Sequence, residues 1–503
     1  MTRRGEESTL VMTPERRWPG RGGTVCDEGD EVELREYAGY DAVGLRGLIA
    51  AGEISAGEVE EVARRALEAA DAELNGLALP PFTPALDHDP GGALAGVPFL
   101  IKDNGPMAEG TPFFCGSRAV RAVAGHDTDL MRRLRSAGLV TLGLTTVPEM
   151  MISFSTESVL YGPTRNPWDL ARGVGGSSGG SAALVAAGAV PLAHGSDGAG
   201  SIRIPASCCG LVGLKPSRGR VPCGPDVGEP LFGISIESGL SRTVRDTAHY
   251  LDAIQGPAPG DKYTAPPPAR PYAEEVGADP GRLRVAVATR GWPDVAADPE
   301  VAAAAVQTGL ALEKLGHVVG EAGPEVGAET MMSAMVPFAI VAVAAPLLTA
   351  LRAPDPAKVE AVTRRAFAEA GELSAYRLLG AFDAQNRAGR TVGAFFGEYD
   401  LLVTPTLARP PAPHGTLRYD DPGHTVATWL ESLFDYGPFT ALFNLTGEPA
   451  ISLPLGWSED GLPIGVQIVA PYGREDLLVR VASQLEEAMP WAGRTPAVHV
   501  GGR

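Results

Sequence analysis

The chain has 503 residues, of which 44% are hydrophobic and 20% charged, a balance typical of globular proteins with an ample core. Its formal net charge of −19 disfavours binding to nucleic acid or to an anionic membrane surface. The five cysteines follow neither a disulfide nor a zinc-binding spacing, so we expect a cytoplasmic protein that needs no metal and no cofactor.

Residues 1–36 are polar and rich in glycine and glutamate, and we predict a disordered or loosely attached leader there. No apolar segment follows Arg3 and Arg4, so no signal peptide is visible. The longest apolar run, Ala334 to Leu348, is too short to span a bilayer and contains two prolines. We therefore expect no membrane partner.

Residues 39–75 repeat apolar side chains at steps of three and four, which predicts amphipathic helices. Ser55 followed by Glu58 is a capping-box pattern at the start of the second helix. The apolar segment 96–101 then predicts a short buried strand, and Lys102 lies at its end.

Two glycine-rich segments carry serines. The first, residues 175–181, contains Ser177 and Ser178 and leads into an alanine-rich helix at 181–188. Ser177 is therefore either a catalytic group or part of an anion-binding loop at a helix N-terminus. A P-loop is disfavoured, because no Gly-Lys-Ser/Thr sequence follows.

The second segment reads Asp197-Gly-Ala-Gly-Ser201-Ile-Arg203-Ile-Pro205. A serine hydroxyl is a poor nucleophile unless a base removes its proton, and Lys102 is the candidate base. Small side chains let backbone N–H groups approach a substrate oxygen closely. The oxyanion hole for a nucleophilic Ser201 is therefore predicted at Gly198, Ala199 and Gly200.

Strand and helix signals alternate as far as about residue 250, which favours a mixed sheet covered by helices on both faces. Residues 257–271 are a proline-rich connector. Residues 328–400 are mostly helical and predict a cap beside the site, in which Met335 and Phe338 line an apolar substrate pocket. Further strands are predicted at 284–288, 401–405, 444–455 and 466–469, and further helices at 299–315 and 474–489, before a C-terminal tail at 491–503.

These segments resemble the amidase signature family. Lys102 and Ser177 are 75 residues apart, and Ser177 and Ser201 are 24 apart, which matches the intervals of that family's Ser-cisSer-Lys triad. The similarity covers roughly residues 40–490, and residues 206–207 and 465–476 most resemble the group of 6-aminohexanoate cyclic-dimer hydrolases. It also includes the segments 145–149, 165–168, 210–216 and 461–467.

The resemblance implies the α/β amidase signature fold, in a single domain at 37–490. It implies that Ser201 is the nucleophile, Ser177 a relay that follows a cis peptide bond, and Lys102 the base. The expected activity is hydrolysis of a small linear or cyclic amide through an acyl-enzyme, by a monomer or a homodimer. Supporting roles fall to Ser178, Asp197 and Arg203.

An ordinary lysine, with a pKa of about 10.4, is protonated at neutral pH and cannot act as a base. Burial behind the apolar segment 99–101 would lower the pKa of Lys102. The competing interpretation is a strand-end lysine paired with Asp103. One departure from the family concerns Ala199, which replaces a usual glycine; if that position needs a positive φ, alanine costs about 1 kcal/mol.

Two other functions remain open at this point. The A subunit of a tRNA-dependent amidotransferase resembles the same family, but it typically has Gln where this chain has Ile204, and the acidic charge offers tRNA no obvious landing surface. An α/β-hydrolase would use Ser178 within a G-x-S-x-G sequence and would need His414 or His424. That mechanism leaves Lys102 unexplained.

Overall fold

The structure is a computed structural model that describes residues 34–292, 294–348 and 355–502. Most of the predicted leader lies outside these residues. Its last part does not, because Leu34–Ala38 form a helix whose Tyr37 is 2% exposed. The phenol of Tyr37 donates a hydrogen bond to the carbonyl of Ala189 at 2.9 Å. The described part of the folded domain therefore includes residues 34–36, which belong to the predicted leader.

The centre of the fold is a mixed sheet, as predicted, and in the described part of the chain it has ten strands. In chain order its strands are β1 Pro98–Lys102, β2 Val140–Thr145, β3 Leu192–Asp197, β4 Val212–Lys215, β5 Ile236–Ser241, β6 Arg284–Val287, β7 Val318–Glu321, β8 Leu401–Pro405, β9 Ala450–Trp457 and β10 Pro463–Val469. Their order across the sheet is β7-β6-β8-β10-β9-β4-β5-β3-β1-β2. β1 is parallel to both β2 and β3, whereas β5 is antiparallel to β3 and β4.

Helices cover both faces of this sheet, so each face has its own apolar core. Successive side chains of a strand point to opposite faces. In β1, Phe99 and Ile101 accordingly belong to one core and Leu100 to the other. All five residues of β1 are buried, which explains why the first four form a continuous apolar run.

Among the described residues, the helices predicted at 299–315 and 474–489 form, and so does the capping box predicted at Ser55. Residues 444–446, predicted as the start of a strand, instead lie in a helix. Ser55 accepts a hydrogen bond from the N–H of Glu58, whose side chain bonds back to the N–H of Ser55. In chain order the helices of the described residues are α1 Leu34–Ala38, α2 Ala42–Ala51, α3 Ala56–Leu74, α4 Asp129–Ser136, α5 Gly179–Ala186, α6 Arg203–Cys209, α7 Val244–Ile254, α8 Pro299–Lys314, α9 Ala328–Leu348, α10 Ala361–Glu372, α11 Ala375–Glu398, α12 Val426–Tyr436, α13 Ala441–Thr446 and α14 Glu475–Ala488.

Helix α9 is longer than the apolar run seen in the sequence, because it starts at Ala328 and continues through Pro337. Its residues 328–345 are long and apolar enough to cross a membrane by length and composition alone. More than half of this segment is buried inside the protein, against α10, α11 and α12. The helix therefore packs as a core element of the cap region.

The C-terminal segment packs on the domain rather than trailing from it. The indole of Trp491 is buried and donates to the carbonyl of Arg242 at 2.9 Å. The N–H of Val500 donates to the carbonyl of Ala187, the residue that follows α5, at 2.9 Å. This segment thus helps to fix the helix that follows Ser177 and Ser178.

Candidate active site

The candidate site forms where β1 and β3 end side by side. The two strands are parallel and pair at Phe99 with Leu192, so their carboxyl ends meet at the same edge of the sheet. Lys102 is the last residue of β1, and Asp197 is the last residue of β3. The two glycine-rich segments approach this edge from α5 and α6.

The ammonium group of Lys102 is fully buried and lies among hydroxyl groups. Its Nζ donates to Oγ of Ser177 at 2.7 Å and to Oγ of Ser196 at 2.9 Å. Burial lowers the pKa of Lys102 from 10.5 to about 7, although the carboxylates of Glu237 and Asp197 act to raise it. A lysine in this setting exchanges its proton near neutral pH.

The alternative pairing of Lys102 with Asp103 does not form. The carboxylate of Asp103 instead accepts from the N–H groups of Phe114 and Gly116, and from the phenol of Tyr161 at 2.7 Å. Burial raises the pKa of Asp103 to about 6, because these hydrogen bonds offset only part of the cost of desolvation. Asp103 organises the loop after β1 and leaves Lys102 to the serines.

Ser177 follows a cis peptide bond from Gly176 and lines the same cavity as Ser201. Ser178 does not line this cavity. Its N–H donates to the carbonyl of Ser201 at 3.2 Å, and its hydroxyl bonds to the backbone of Ser196 at 3.3 Å. Ser178 therefore links the two glycine-rich segments.

The histidines that an α/β-hydrolase mechanism would need lie elsewhere. His414 bonds through Nδ1 to Glu157 at 3.1 Å, and His424 bonds to Thr428. Neither ring lines the cavity that contains Ser177 and Ser201. Neither histidine is hydrogen-bonded to Ser178, as an α/β-hydrolase mechanism at that serine would require.

The loop that carries Ser201 is built around Asp197. One carboxylate oxygen accepts the N–H of Gly200 at 2.7 Å, and the other accepts the N–H of Ile202 at 3.2 Å. The guanidinium of Arg203 adds two hydrogen bonds of 2.9 Å. Although burial opposes it, this guanidinium holds the pKa of Asp197 well below its usual range.

The predicted oxyanion hole is only partly available to a ligand. The N–H of Gly200 is already bound by Asp197, whereas among the hydrogen bonds of the described residues the N–H groups of Gly198 and Ala199 have no acceptor. Among these hydrogen bonds of the described residues, the N–H of Ser201 likewise has no acceptor. The N–H groups of this loop that remain available to a ligand are therefore those of Gly198, Ala199 and Ser201.

The substitution of alanine for glycine at 199 causes no backbone strain, since Ala199 is not among the described residues with a positive φ. The residue that needs glycine is Gly200, with φ +135°. A Cβ there would lie 2.4 Å from Oγ1 of Thr440, whose hydroxyl donates to the carbonyl of Ala199 at 2.6 Å.

A cavity of about 880 Å³ opens above Ser201, and its walls are mainly apolar. Met335 lines it, as expected, but Phe338 does not. Phe338 is fully buried behind the wall, with its ring centroid 4.8 Å from that of Phe232. Because α9 is apolar all round, its sequence pattern could not show which face meets the cavity.

Several groups at the site have no signal in the sequence. Ser196 accepts a hydrogen bond from Lys102, as Ser177 does. The carboxylate of Glu237 interacts electrostatically with Lys102 and is hydrogen-bonded to His194 at 2.7 Å. Distant parts of the chain supply further partners for the guanidinium of Arg203. These are the carbonyl of Thr440 and the side chains of Asn444 and Gln467. Among the described residues, no three His, Cys, Asp or Glu side chains group as metal ligands would.

The chain belongs to the amidase signature family, since the model of the family described as Amidase matches residues 66–479. It is thus an amidase, the class that cleaves C–N bonds other than peptide bonds. The resemblance predicted from the sequence is confirmed.

Its similarity to individual amidases extends over nearly the whole chain. The 6-aminohexanoate-cyclic-dimer hydrolase of Paenarthrobacter ureafaciens is 41% identical over 484 residues, which cover 91% of this chain and 96% of the relative. A solved structure of 6-aminohexanoate cyclic dimer hydrolase complexed with substrate matches with a TM-score of 0.84 at 39% identity, over 92% of this chain and 99% of that one. A bacterial aryl acylamidase of the amidase signature family matches with a TM-score of 0.79 at 25% identity, over 90% and 97%.

Proposed function

We propose that this protein hydrolyses a small carboxylic amide through an acyl-enzyme on Ser201. Ser201 attacks the carbonyl carbon while Ser177 accepts its proton and passes its own to the neutral amine of Lys102. The proton returns along the same path to the leaving amine. A water molecule, activated by the same groups, then releases the acid and restores Ser201.

The observation that carries this proposal is the buried Lys102 with its Nζ 2.7 Å from Oγ of Ser177. A pKa of about 7 makes Lys102 able to accept a proton at neutral pH and to return it, as general acid–base catalysis requires. Ser177 and Ser201 line one cavity, so the relay and the nucleophile meet the same substrate.

The loop at 197–203 supports the second half of the reaction, the stabilisation of the oxyanion. The N–H groups of Gly198, Ala199 and Ser201 are the donors we assign to it. Asp197 and Arg203 hold the loop in place before substrate arrives, so little reorganisation is needed when negative charge develops.

We favour hydrolysis over a role as an amidotransferase subunit. The relative from Paenarthrobacter ureafaciens, with 41% identity, is named as a hydrolase of a cyclic amide. The net charge of −19 and the mainly apolar cavity both favour a neutral small-molecule amide over a tRNA-bound substrate. We infer an apolar or aromatic acyl group, a cytoplasmic location and no cofactor.

Labelling with a fluorophosphonate, read by intact mass and peptide mapping, tests the proposal. We expect one label, on Ser201, and loss of both label and amide turnover in Ser201→Ala, with unchanged circular dichroism. Lys102→Ala should retain the fold and lose several orders of magnitude in kcat, because the relay then has no base. A label on Ser178, or full activity of Ser201→Ala, would contradict the assignment.

A further inference from the structure

The turn between β4 and β5 contains two consecutive bulky residues in the left-handed backbone region. Leu231 has φ 52° and Phe232 has φ 55°. This region is unfavourable for side chains of that size and is retained mainly where function requires it. Both residues line the cavity above Ser201, as do Met150 and Met151, with φ of 53° and 58°.

Contacts with three helices hold this turn in place. The ring of Phe232 lies 4.8 Å from that of Phe338 on α9 and meets that of Phe382 on α11 edge-on at 5.5 Å. The amide of Asn444 on α13 donates to the carbonyl of Ile234 at 3.1 Å. These contacts fix the position of Leu231, the neighbour of Phe232.

Leu231 reaches over the loop that holds the nucleophile. Its Cδ1 lies 3.4 Å from the position that a Cβ on Gly198 would occupy, which is a van der Waals contact distance. The side chain of Leu231 therefore fills the space next to Gly198. Gly198 is one of the donors assigned to the oxyanion. Space directly beside a bound carbonyl is therefore limited by Leu231, while the cavity beyond it measures about 880 Å³.

We propose that Leu231 is a specificity-determining residue that excludes branching next to the scissile carbonyl, so that the preferred substrates are amides of unbranched carboxylic acids. This inference rests on the proposed function. A carbonyl oxygen held by the loop places the adjacent carbon of the acyl group under Leu231. A methyl branch on that carbon meets the leucine, whereas further methylene groups extend into the wide apolar cavity.

The test compares hexanoyl and 2-methylpentanoyl 4-nitroanilides, two neutral amides with the same number of carbons and the same leaving amine. We expect the wild type to prefer the unbranched substrate at least about tenfold in kcat/KM, the discrimination that one misplaced methyl group gives in an apolar pocket. Leu231→Ala and Leu231→Gly should bring that ratio to within about threefold. Glycine suits a φ of 52°, so Leu231→Gly should fold even if the alanine variant does not.

Leu433→Ala is the matched control, since it truncates a leucine in another wall of the same cavity. It should leave the preference for the unbranched acyl group as it is in the wild type. Folded Leu231 variants that keep the wild-type ratio, or a wild type without preference, would overturn the inference. Failure of the wild type to take a fluorophosphonate label on Ser201 would instead refute the proposed function, so the two failures are distinguishable.

Discussion

The buried Lys102 makes the pH dependence of catalysis a direct test of the mechanism. A decrease in its pKa from 10.5 to about 7 corresponds to about 5 kcal/mol against the charged form. Lysine acts as a base only when neutral, so activity should rise with pH. With a pKa of about 7, about a tenth of the enzyme is competent at pH 6 and about nine-tenths at pH 8.

Glu237→Gln changes this pKa without touching the triad. The carboxylate of Glu237 stabilises the charged lysine and so raises the pKa of Lys102. Its removal should lower that pKa further, which moves the rising limb of the profile to lower pH. Glutamine keeps a polar partner for His194. Glu229→Gln is the control, because Glu229 also lines the cavity but pairs with Lys262.

The assay is kcat/KM for a neutral anilide from about pH 5 to about pH 9, which reports ionisation of the free enzyme. The wild-type profile should have its midpoint near the pKa of Lys102, and only Glu237→Gln should displace it to lower pH. A flat wild-type profile would refute the reasoning. So would a midpoint that moves to higher pH in Glu237→Gln.

Three further predictions concern the loop and the cap. Gly200→Ala should reduce kcat by about 100-fold, because there is no room for its Cβ. The control Ala199→Gly should keep a kcat near that of the wild type. Equal activities of the two variants would show that the loop tolerates a side chain at position 200. Arg203→Met leaves the buried carboxylate of Asp197 without its cationic partner and should lower the free energy of unfolding by about 3–5 kcal/mol. Denaturant titrations measure this, and an unchanged unfolding midpoint would contradict it. Met335→Ala should change the ranking of amide substrates by kcat/KM, because Met335 lines the cavity. Phe338→Ala should mainly lower the free energy of unfolding, by about 3–5 kcal/mol, because Phe338 is fully buried. The opposite pattern would place Phe338 in the pocket.

Spacing in the sequence identified the family and brought Lys102, Ser177 and Ser201 together as candidates. This was possible because each of the three lies in a short segment with a distinctive glycine or strand pattern. Ser196 could not be found in this way, since a single serine within a buried strand is common. Its role is visible only when Lys102 and Ser196 are seen 2.9 Å apart across two strands.

The supports of the nucleophile loop were equally hidden. Thr440, Asn444 and Gln467 lie more than 200 residues from Asp197 and Arg203, and nothing in their local sequence indicates those partners. Gly200 was predicted as an oxyanion donor because its small size was visible, but the hydrogen bond that occupies its N–H was not. Hydrogen bonds between side chains that are far apart in the sequence cannot be predicted from local residue patterns.

The dependence of the Asp197–Arg203 pair on residues 440–467 has a consequence for biosynthesis. Lys102, Ser177 and Ser201 leave the ribosome long before Thr440, Asn444 and Gln467 are made. Until those residues arrive, the guanidinium of Arg203 lacks three of its acceptors, and the loop that presents Ser201 lacks the hydroxyl of Thr440. A nascent or prematurely terminated chain therefore carries Lys102, Ser177 and Ser201 without the contacts that hold the Ser201 loop. If Ser201 is the nucleophile, as proposed, we expect its reactivity to develop only once synthesis is nearly complete.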